Sequence, residues 1–425
     1  MKFVLASYGS RGDIEPSVAI GSELLRRGHE VDIAVPPDFV SFAEKAGLSA
    51  VAYGPNLHEF WDENFLRSFW PNLLRSLWTI REPIRLVREL WEPCLRHWKE
   101  MSQTLTSLCD GADLLFTGLL YQDLAVSVAE YYHAPFVTLH YFPIRPNGQL
   151  FDSVPSPVLR SAMTLHDWFC WRMNKRAEDA QRRELGLPKA TRFAGRRIVE
   201  SGSLEIQAYD TAFFPGLEAE WEKWGDRRPF VGALTMEMAT DVDDEVASWI
   251  ASGSPPICFC LATIAVESPA ATVELIGGAC AELGERALVC TGLRDFSGAP
   301  QFEHVKVAGM VNYGTTFPAC RAVVHHGGSG TTAAGLRAGM PTLILWTAGD
   351  QPFWAASVKR LKVGTARRFA ATNRQSLVAD LRRILAPEYT TRARDFATHM
   401  TKPAESVARA AELVEEFARV KRVAS

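Results

Sequence analysis

The chain has 425 residues, 47% hydrophobic and 22% charged, a globular balance too long for one ordinary core, so two domains are expected. A formal net charge of -3 gives no basic excess, which argues against nucleic acid as a partner. No apolar stretch approaches the roughly 20 residues of a membrane span, and the eight cysteines (94, 109, 170, 258, 260, 280, 290 and 320) include no Cys-x-x-Cys pair. Several lie in apolar runs, the pattern of reduced, buried thiols in a cytoplasmic protein.

In chain order, Phe3–Ser7 reads as a first strand and not as a secretion signal, because Arg11 and Asp13 interrupt the apolar run too soon. A helix is expected over Glu15–Arg27, with Pro16 in its first turn. Val31–Val35, Leu114–Thr117 and Phe136–His140 read as further strands. The second half repeats the scheme with strands at Ile257–Cys260, Ala287–Cys290, Val305–Val307, Ala322–His325 and Thr342–Leu345. Short apolar runs alternating with helical patterns imply parallel sheets with crossover helices, hence two doubly wound α/β domains that bind ligands at the carboxyl ends of strands. The change of domain is placed near Pro215, Gly216 and Gly225, giving an N-terminal domain over 1–214, a linker over 215–228 and a C-terminal domain over 229–395. A last segment, 396–425, carries a helix over about Ala404–Val420, with Val407, Ala411, Val414 and Phe417 at helical spacing.

Residues 60–98 concentrate aromatics: Phe60, Trp61, Phe65, Phe69, Trp70, Trp78, Trp91 and Trp98. Two readings stand side by side. Helices bury these rings on the first sheet, or Trp70 and Trp78 belong to an acceptor-binding or interfacial surface for a greasy substrate.

Residues 322–353 carry the chemistry. A buried run ends in His325-His326, and a turn with Gly327, Gly328 and Gly330 follows, beside Ser329, Thr331 and Thr332, before a helix expected from about Thr332 to Ala338. Strand, glycine turn and helix start together present backbone N–H groups and a positive dipole end to an anion. Ser329 and Thr331 add hydroxyls. Thr342–Trp346 then leads to Asp350-Gln351, a side-chain pair suited to sugar hydroxyls, so a diphosphate and a polyol would share one sheet edge. In the first domain Asp13 follows the first strand, where a general base could stand; the alternative is a helix N-cap. His140 ends another strand and is a candidate acceptor-lining residue or a satisfied core histidine. Tyr121, Gln122 and Asp123 are weaker candidates.

Other signals point to structure. Asp241-Val-Asp243 spells a metal-binding Asp-x-Asp, but it precedes an expected helix over Asp244–Ala251 and reads better as helix-start acid. Gly9-Ser-Arg-Gly12 lacks dinucleotide-binding spacing, and the glycines around Ser329 do not form a nucleophile elbow.

The His-His-Gly-Gly-x-Gly-Thr-Thr run with its downstream Asp-Gln resembles the donor signature of GT-B glycosyltransferases in the large family 1 group. The likeness is strongest to bacterial sterol, glycopeptide-antibiotic and mycobacterial glycopeptidolipid glycosyltransferases. The opening VLASYGSRGDIEPSVAIGSELLRRGHEVDIAVPP and residues 204–234, LEIQAYDTAFFPGLEAEWEKWGDRRPFVGAL, resemble the same branch. The resemblance implies two facing Rossmann-like domains with a cleft between them, and a last helix returning to the first. It makes Asp13, in Gly-x-Arg-Gly-Asp, the base. It gives His326 a donor phosphate, Val311 a backbone contact to the base of the nucleotide, and Asp350 and Gln351 the sugar, while Gly328, Ser329, Gly330 and Thr331 complete the donor site. The family's Gly-Ser pair is missing at Cys258–Thr263, where Thr263 is the available hydroxyl. Ala334 replaces the ribose-binding Glu of plant members, which does not decide the nucleotide.

The expectation is therefore an inverting, metal-independent hexosyltransferase with no bound cofactor, cytoplasmic or at the inner membrane surface through a peripheral contact. Its donor would be a nucleotide-diphosphate sugar of dTDP-rhamnose or UDP-glucose type, and its acceptor a glycopeptidolipid, glycolipid or sterol-like product. The rivals are a non-catalytic nucleotide-sugar-binding protein and a sugar-nucleotide epimerase.

Overall fold

The computed structural model describes residues 1–56, 91–93, 95–151, 154–261, 268–292 and 294–424. Trp70, Trp78 and most of the aromatic segment, together with Cys94 and Thr263, lie outside the described residues. The chain divides into two compact units: Met1–Ala208 with Gly216–Leu234 and Pro403–Ser425, and Tyr209–Pro215 with Thr235–Lys402.

The first unit is built on β1 (Lys2–Ala6), β2 (Glu30–Val35), β3 (Ser49–Ala52), β4 (Leu114–Thr117), β5 (Phe136–His140) and β6 (Leu204–Gln207). They pair in parallel in the order β3-β2-β1-β4-β5-β6. β4, β5 and β6 are buried along their whole length, as strands covered on both faces must be. Val4, Ala6 and Leu115 pack with Met101, Leu105 and Leu124 in one core cluster. Trp98 belongs to it too, with its indole N–H donated to Gln181 Oε1 at 3.0 Å, so this aromatic is core.

The first helix starts earlier than expected. The first helix runs Arg11–Arg26, because Ser10 takes the N-cap and Asp13, at the third helical position, reaches back to it. Pro16 thus sits inside the helix, where it has no N–H to give the Gly12 carbonyl. The last helix, Pro403–Ala424, lays Ala410, Ala411, Val414 and Ala418 into this unit's core. Residues 216–228, read from sequence as part of a linker, carry the short helix Leu217–Trp221 and the tight turns of Glu222–Arg227, and group with the first unit.

The second unit repeats the plan with β7 (Ile257–Cys260), β8 (Ala287–Cys290), β9 (Val305–Ala308), β10 (Ala322–His325), β11 (Thr342–Trp346) and β12 (Gly364–Arg368). All pair in parallel, in the order β12-β11-β10-β7-β8-β9. Phe259, Val289, Val324 and Leu343 form one buried face, Cys258, Cys260, Leu288, Cys290 and Val323 the other. The described cysteines are free, and all but Cys170 are buried. Among the described residues no helix is long and apolar enough to cross a membrane.

In each sheet the strand order reverses once, between β1 and β4 and between β10 and β7. Loops leaving the carboxyl ends of strands diverge at such points and open a crevice for ligands. Asp13 follows β1 and the His326 turn follows β10.

Candidate active site

In the first unit the Asp13 carboxylate is held on both oxygens. Oδ2 accepts the Ser10 backbone N–H at 2.6 Å and the Ser10 hydroxyl at 2.8 Å, while Oδ1 accepts the Tyr141 hydroxyl. Gly9 makes the approach feasible: its φ is +130°, and a Cβ there would stand 2.4 Å from Asp13 Oδ2. The side chain is half-buried. Burial pushes its pKa above the ordinary aspartate value, against the bonds from Tyr141 and Ser10, which favour the charged form. Asp13 thus helps to cap its helix from the third position, and its raised proton affinity also suits a base.

Tyr141 was not anticipated. It follows His140, and its partner lies 128 residues away in sequence, so no local pattern marks the pair.

His140 has no exposed surface. Its ring nitrogens lie 3.1 Å from Gln122 Nε2 and 3.3 Å from Gln207 Nε2. A neutral imidazole accepts at only one nitrogen, so only one of these amides can donate to the ring. Burial, with Arg145 nearby, pulls the His140 pKa down to about 3. Beside it Glu205 accepts from Arg145 and, at 2.9 Å, from Arg228. Burial alone would raise the Glu205 pKa, but Arg145, His140 and Arg228 hold it down to about 2. The acceptor-lining role expected of His140 does not fit a side chain enclosed in this network. Gln122 belongs to the same network, and Asp123 accepts from Asn174 at 2.8 Å. Tyr121 holds a left-handed backbone (φ +60°) and packs edge-on against Tyr8 and Trp98.

In the second unit β10 ends at His325, fully buried, whose Nδ1 accepts the Gly327 N–H at 3.0 Å and so pins the turn. His326 faces the other way, half-buried, and burial lowers its pKa to about 4, leaving a neutral ring that can donate one N–H. The Gly327 backbone needs glycine, and at Gly328 a side chain would displace the His326 ring. A Cβ on Gly327 (φ +97°) would come 2.6 Å from Ile344 Cγ2, and one on Gly328 would come 2.5 Å from His326 Nε2.

The following helix begins at Ser329, three residues before the expected Thr332, with Gly328 as an N-cap that has no side chain to offer. The N–H groups of Ser329, Gly330 and Thr331 therefore have no acceptor inside the helix; Thr332 is the first to bond, to the Gly328 carbonyl at 3.0 Å. Unsatisfied donors, a positive dipole end and the His326 ring converge on one turn. Such an arrangement is chemically suited to an anion.

Gln351 lies against the same turn, since a Cβ on Gly327 would be 3.4 Å from Gln351 Cβ. Its Oε1 accepts from the N–H and hydroxyl of Thr347 at 2.7 and 3.0 Å and from Ala348 N–H at 3.3 Å, while its Nε2 makes no hydrogen bond among the described residues. Asp350 stands at the N-cap position of the Gln351–Leu361 helix without a side-chain capping bond, and its Oδ2 accepts the Trp354 indole N–H at 2.9 Å. Val311 is buried in the β9 side of the core, just before Asn312, which caps the Tyr313–Thr316 helix. Asp243 accepts from Thr240 N–H, Thr240 Oγ1 and Asn312 N–H at 2.7, 2.8 and 2.9 Å, a structural engagement at the start of the Asp243–Ala251 helix.

Residues 3–99 match the glycosyltransferase family 28 N-terminal domain, and residues 292–417 the erythromycin biosynthesis protein CIII-like C-terminal domain. An uncharacterized glycosyltransferase of Mycobacterium tuberculosis is 57% identical over 422 residues, 99% of this chain and 99% of its own. A sterol 3-beta-glucosyltransferase of Arabidopsis thaliana is 27% identical over 86% of this chain and 57% of its own. The crystal structure of glycosyltransferase VinC in complex with DTDP is similar with a TM-score of 0.65 at 18% identity, over 99% of this chain and 100% of that one. Two six-stranded, parallel, doubly wound units are the GT-B architecture of nucleotide-sugar glycosyltransferases. Within that class the chain belongs to the glycosyltransferase family of its mycobacterial relatives.

Proposed function

We propose that the protein is an inverting, metal-independent hexosyltransferase. It moves a hexose or deoxyhexose from a dTDP- or UDP-linked donor to a hydroxyl of a hydrophobic acceptor such as a glycopeptidolipid, glycolipid or sterol-like compound. The observation that carries this reading is the uncapped helix start at Ser329–Thr331 beside His326, with Gln351 on the same turn. Its N–H donors suit a diphosphate, and the adjoining amide and carboxylate suit a sugar. The bound thymidine diphosphate of VinC and the sterol substrate in the name of the Arabidopsis relative support the donor and acceptor classes.

In this mechanism Asp13 takes the proton of the acceptor hydroxyl as that oxygen attacks the anomeric carbon. The bond from the anomeric carbon to the diphosphate breaks, and its electron pair leaves with the nucleoside diphosphate. His326 and the helix-start N–H groups stabilise the charge gathering there, the task a metal ion performs in other transferases. Val311 offers backbone to the nucleobase, and Asp350 and Gln351 hold sugar hydroxyls.

The test is to incubate the protein with UDP-glucose or dTDP-rhamnose and a lipid extract, with EDTA present, and to follow nucleoside diphosphate release and the product's anomeric configuration by NMR. Acceptor-dependent release with inverted configuration is expected. Retained configuration, or strict dependence on added Mg²⁺, would overturn the mechanism, and donor turnover to an isomer without transfer would make the protein an epimerase.

A further inference from the structure

The Ser156–Glu184 helix of the first unit is long, and most of its N-terminal half is uncovered. Its anchors are concentrated near the C-terminal end, where Gln181 Nε2 donates to the Leu124 carbonyl at 3.0 Å and Arg182 pairs with Glu130 at 2.6 Å. Four of the eight large apolar side chains exposed among the described residues lie on this one helix: Val158 (57%), Leu165 (64%), Trp168 (47%) and Phe169 (42%). Scattered exposed apolar residues mean little, but a cluster on one element marks an interaction surface.

Charge identifies the partner. Val158, Leu165, Phe169, Arg172, Arg176 and Arg183 follow one another at steps of three, four or seven residues, so they share a face of the helix, with Trp168 at its margin. The face is apolar and aromatic first, then cationic. Its cationic end opens on a cavity of about 460 Å³ lined by Arg176, Arg183 and Lys189, with Asp179 in the wall already paired to Lys175. Arg172, Arg176, Arg183 and Lys189 have no ion-pair partner among the described residues, in a protein whose net charge is negative. A second copy docked face to face would set these cations against each other if the helices ran parallel, and against the apolar side chains if they ran antiparallel, so neither arrangement matches both halves of the stripe. A surface of anionic lipid headgroups over an apolar interior matches both halves of the stripe: aromatic and aliphatic side chains enter the headgroup boundary and arginines meet phosphates.

We propose that this face docks the protein on an anionic lipid bilayer. The inference is independent of the sugar-transfer reading, and its test uses neither donor nor acceptor. Full-length protein is floated with vesicles of phosphatidylcholine alone or mixed with phosphatidylglycerol, at low and high salt. Binding to the phosphatidylglycerol vesicles, weakened by salt, is expected. Two double variants, Trp168→Ser with Phe169→Ser and Arg172→Glu with Arg176→Glu, should each reduce binding on the order of tenfold. Melting curves confirm that each variant is folded at the assay temperature; the arginine pair is the control for stability, because Arg172 and Arg176 are exposed whereas Trp168 and Phe169 are a little more than half buried. Absence of binding to anionic vesicles at low salt, or binding that survives in both variants, overturns the proposal. So does a concentration-dependent dimer in sedimentation that both variants abolish without any vesicle binding, since the face would then belong to self-association.

Discussion

Tyr141 donates its phenolic hydroxyl to Oδ1 of Asp13 while Ser10 occupies Oδ2, so the proposed base is held on both oxygens by groups that prefer it charged. Burial pulls the other way and prevails, leaving the pKa raised. An acceptor hydroxyl in reaction must compete with Tyr141 for Oδ1 or bridge to it. The tyrosine also gives Asp13 a fixed rotamer, which a base needs before its pKa matters.

The first prediction tests that pair. Removing the Tyr141 hydroxyl removes a bond that favours the carboxylate, so Tyr141→Phe should raise the Asp13 pKa further. Asp13 acts when ionised, so activity rises with pH through that pKa, and the acid limb of the kcat/KM profile should move to higher pH in the variant. Asp13→Asn should lower kcat by roughly 10²–10⁴ with donor affinity little changed. An unmoved acid limb together with near-normal turnover in Asp13→Asn would leave the residue a helix cap only.

The second prediction concerns the anion turn. His326→Ala should weaken nucleoside diphosphate binding by about 1.5–3 kcal/mol, the worth of a hydrogen bond to a charged group. Gly328→Ala should do comparable damage without touching any polar side chain, because its Cβ would stand 2.5 Å from His326 Nε2 and displace the ring. Calorimetric titration with UDP and dTDP reads both, and full affinity in either variant would separate His326 from the phosphates.

Much of this was legible in the sequence, and the omissions have physical causes. β7, β8 and β10 announced themselves because strands covered on both faces need continuous apolar runs. β6 did not, since it buries Glu205 and Gln207, polar residues whose partners Arg145, Arg228 and His140 come from elsewhere in the chain. β3 and β12 lie at sheet edges, where small or charged residues suffice. The start at Arg11 is hidden because Pro16 reads as a first-turn proline, and the start at Ser329 because Gly330 and the glycines before it read as a turn, although a first turn is where a missing intrahelical bond costs least. Motif residues were visible one by one; Tyr141 against Asp13 and Gln351 against Gly327 are products of the fold.

The third prediction separates two duties of Gln351. Its Oε1 ties Thr347 and Ala348, and its Nε2 is the group proposed for a sugar hydroxyl. Gln351→Ala should speed amide exchange at Thr347 and Ala348, and should cost the nucleotide sugar roughly 1–3 kcal/mol more binding than the bare nucleotide. Equal losses for the two ligands would confine Gln351 to holding the loop.

The fourth prediction concerns the last helix. Glu415 accepts from Arg27 at 2.7 Å and from His29 at 2.5 Å, and its side chain is only 11% exposed, so this cluster ties Pro403–Ala424 to the first unit. Burial tends to raise the Glu415 pKa, yet the bonds from His29 and Arg27 leave it below the ordinary glutamate value. A carboxylate whose folded pKa is depressed contributes stability that is complete above its unfolded pKa and is lost as pH falls through the folded one. Glu415→Gln should therefore destabilise the helix by about 1.5–3 kcal/mol at neutral pH, read as faster hydrogen exchange over Ala410–Ala418. The difference between parent and variant should shrink as pH drops below the ordinary glutamate range, because the parent's carboxyl then becomes neutral as well. A gap that persists unchanged at acid pH would mean that shape and packing at Glu415, and not its charge, hold the helix in place.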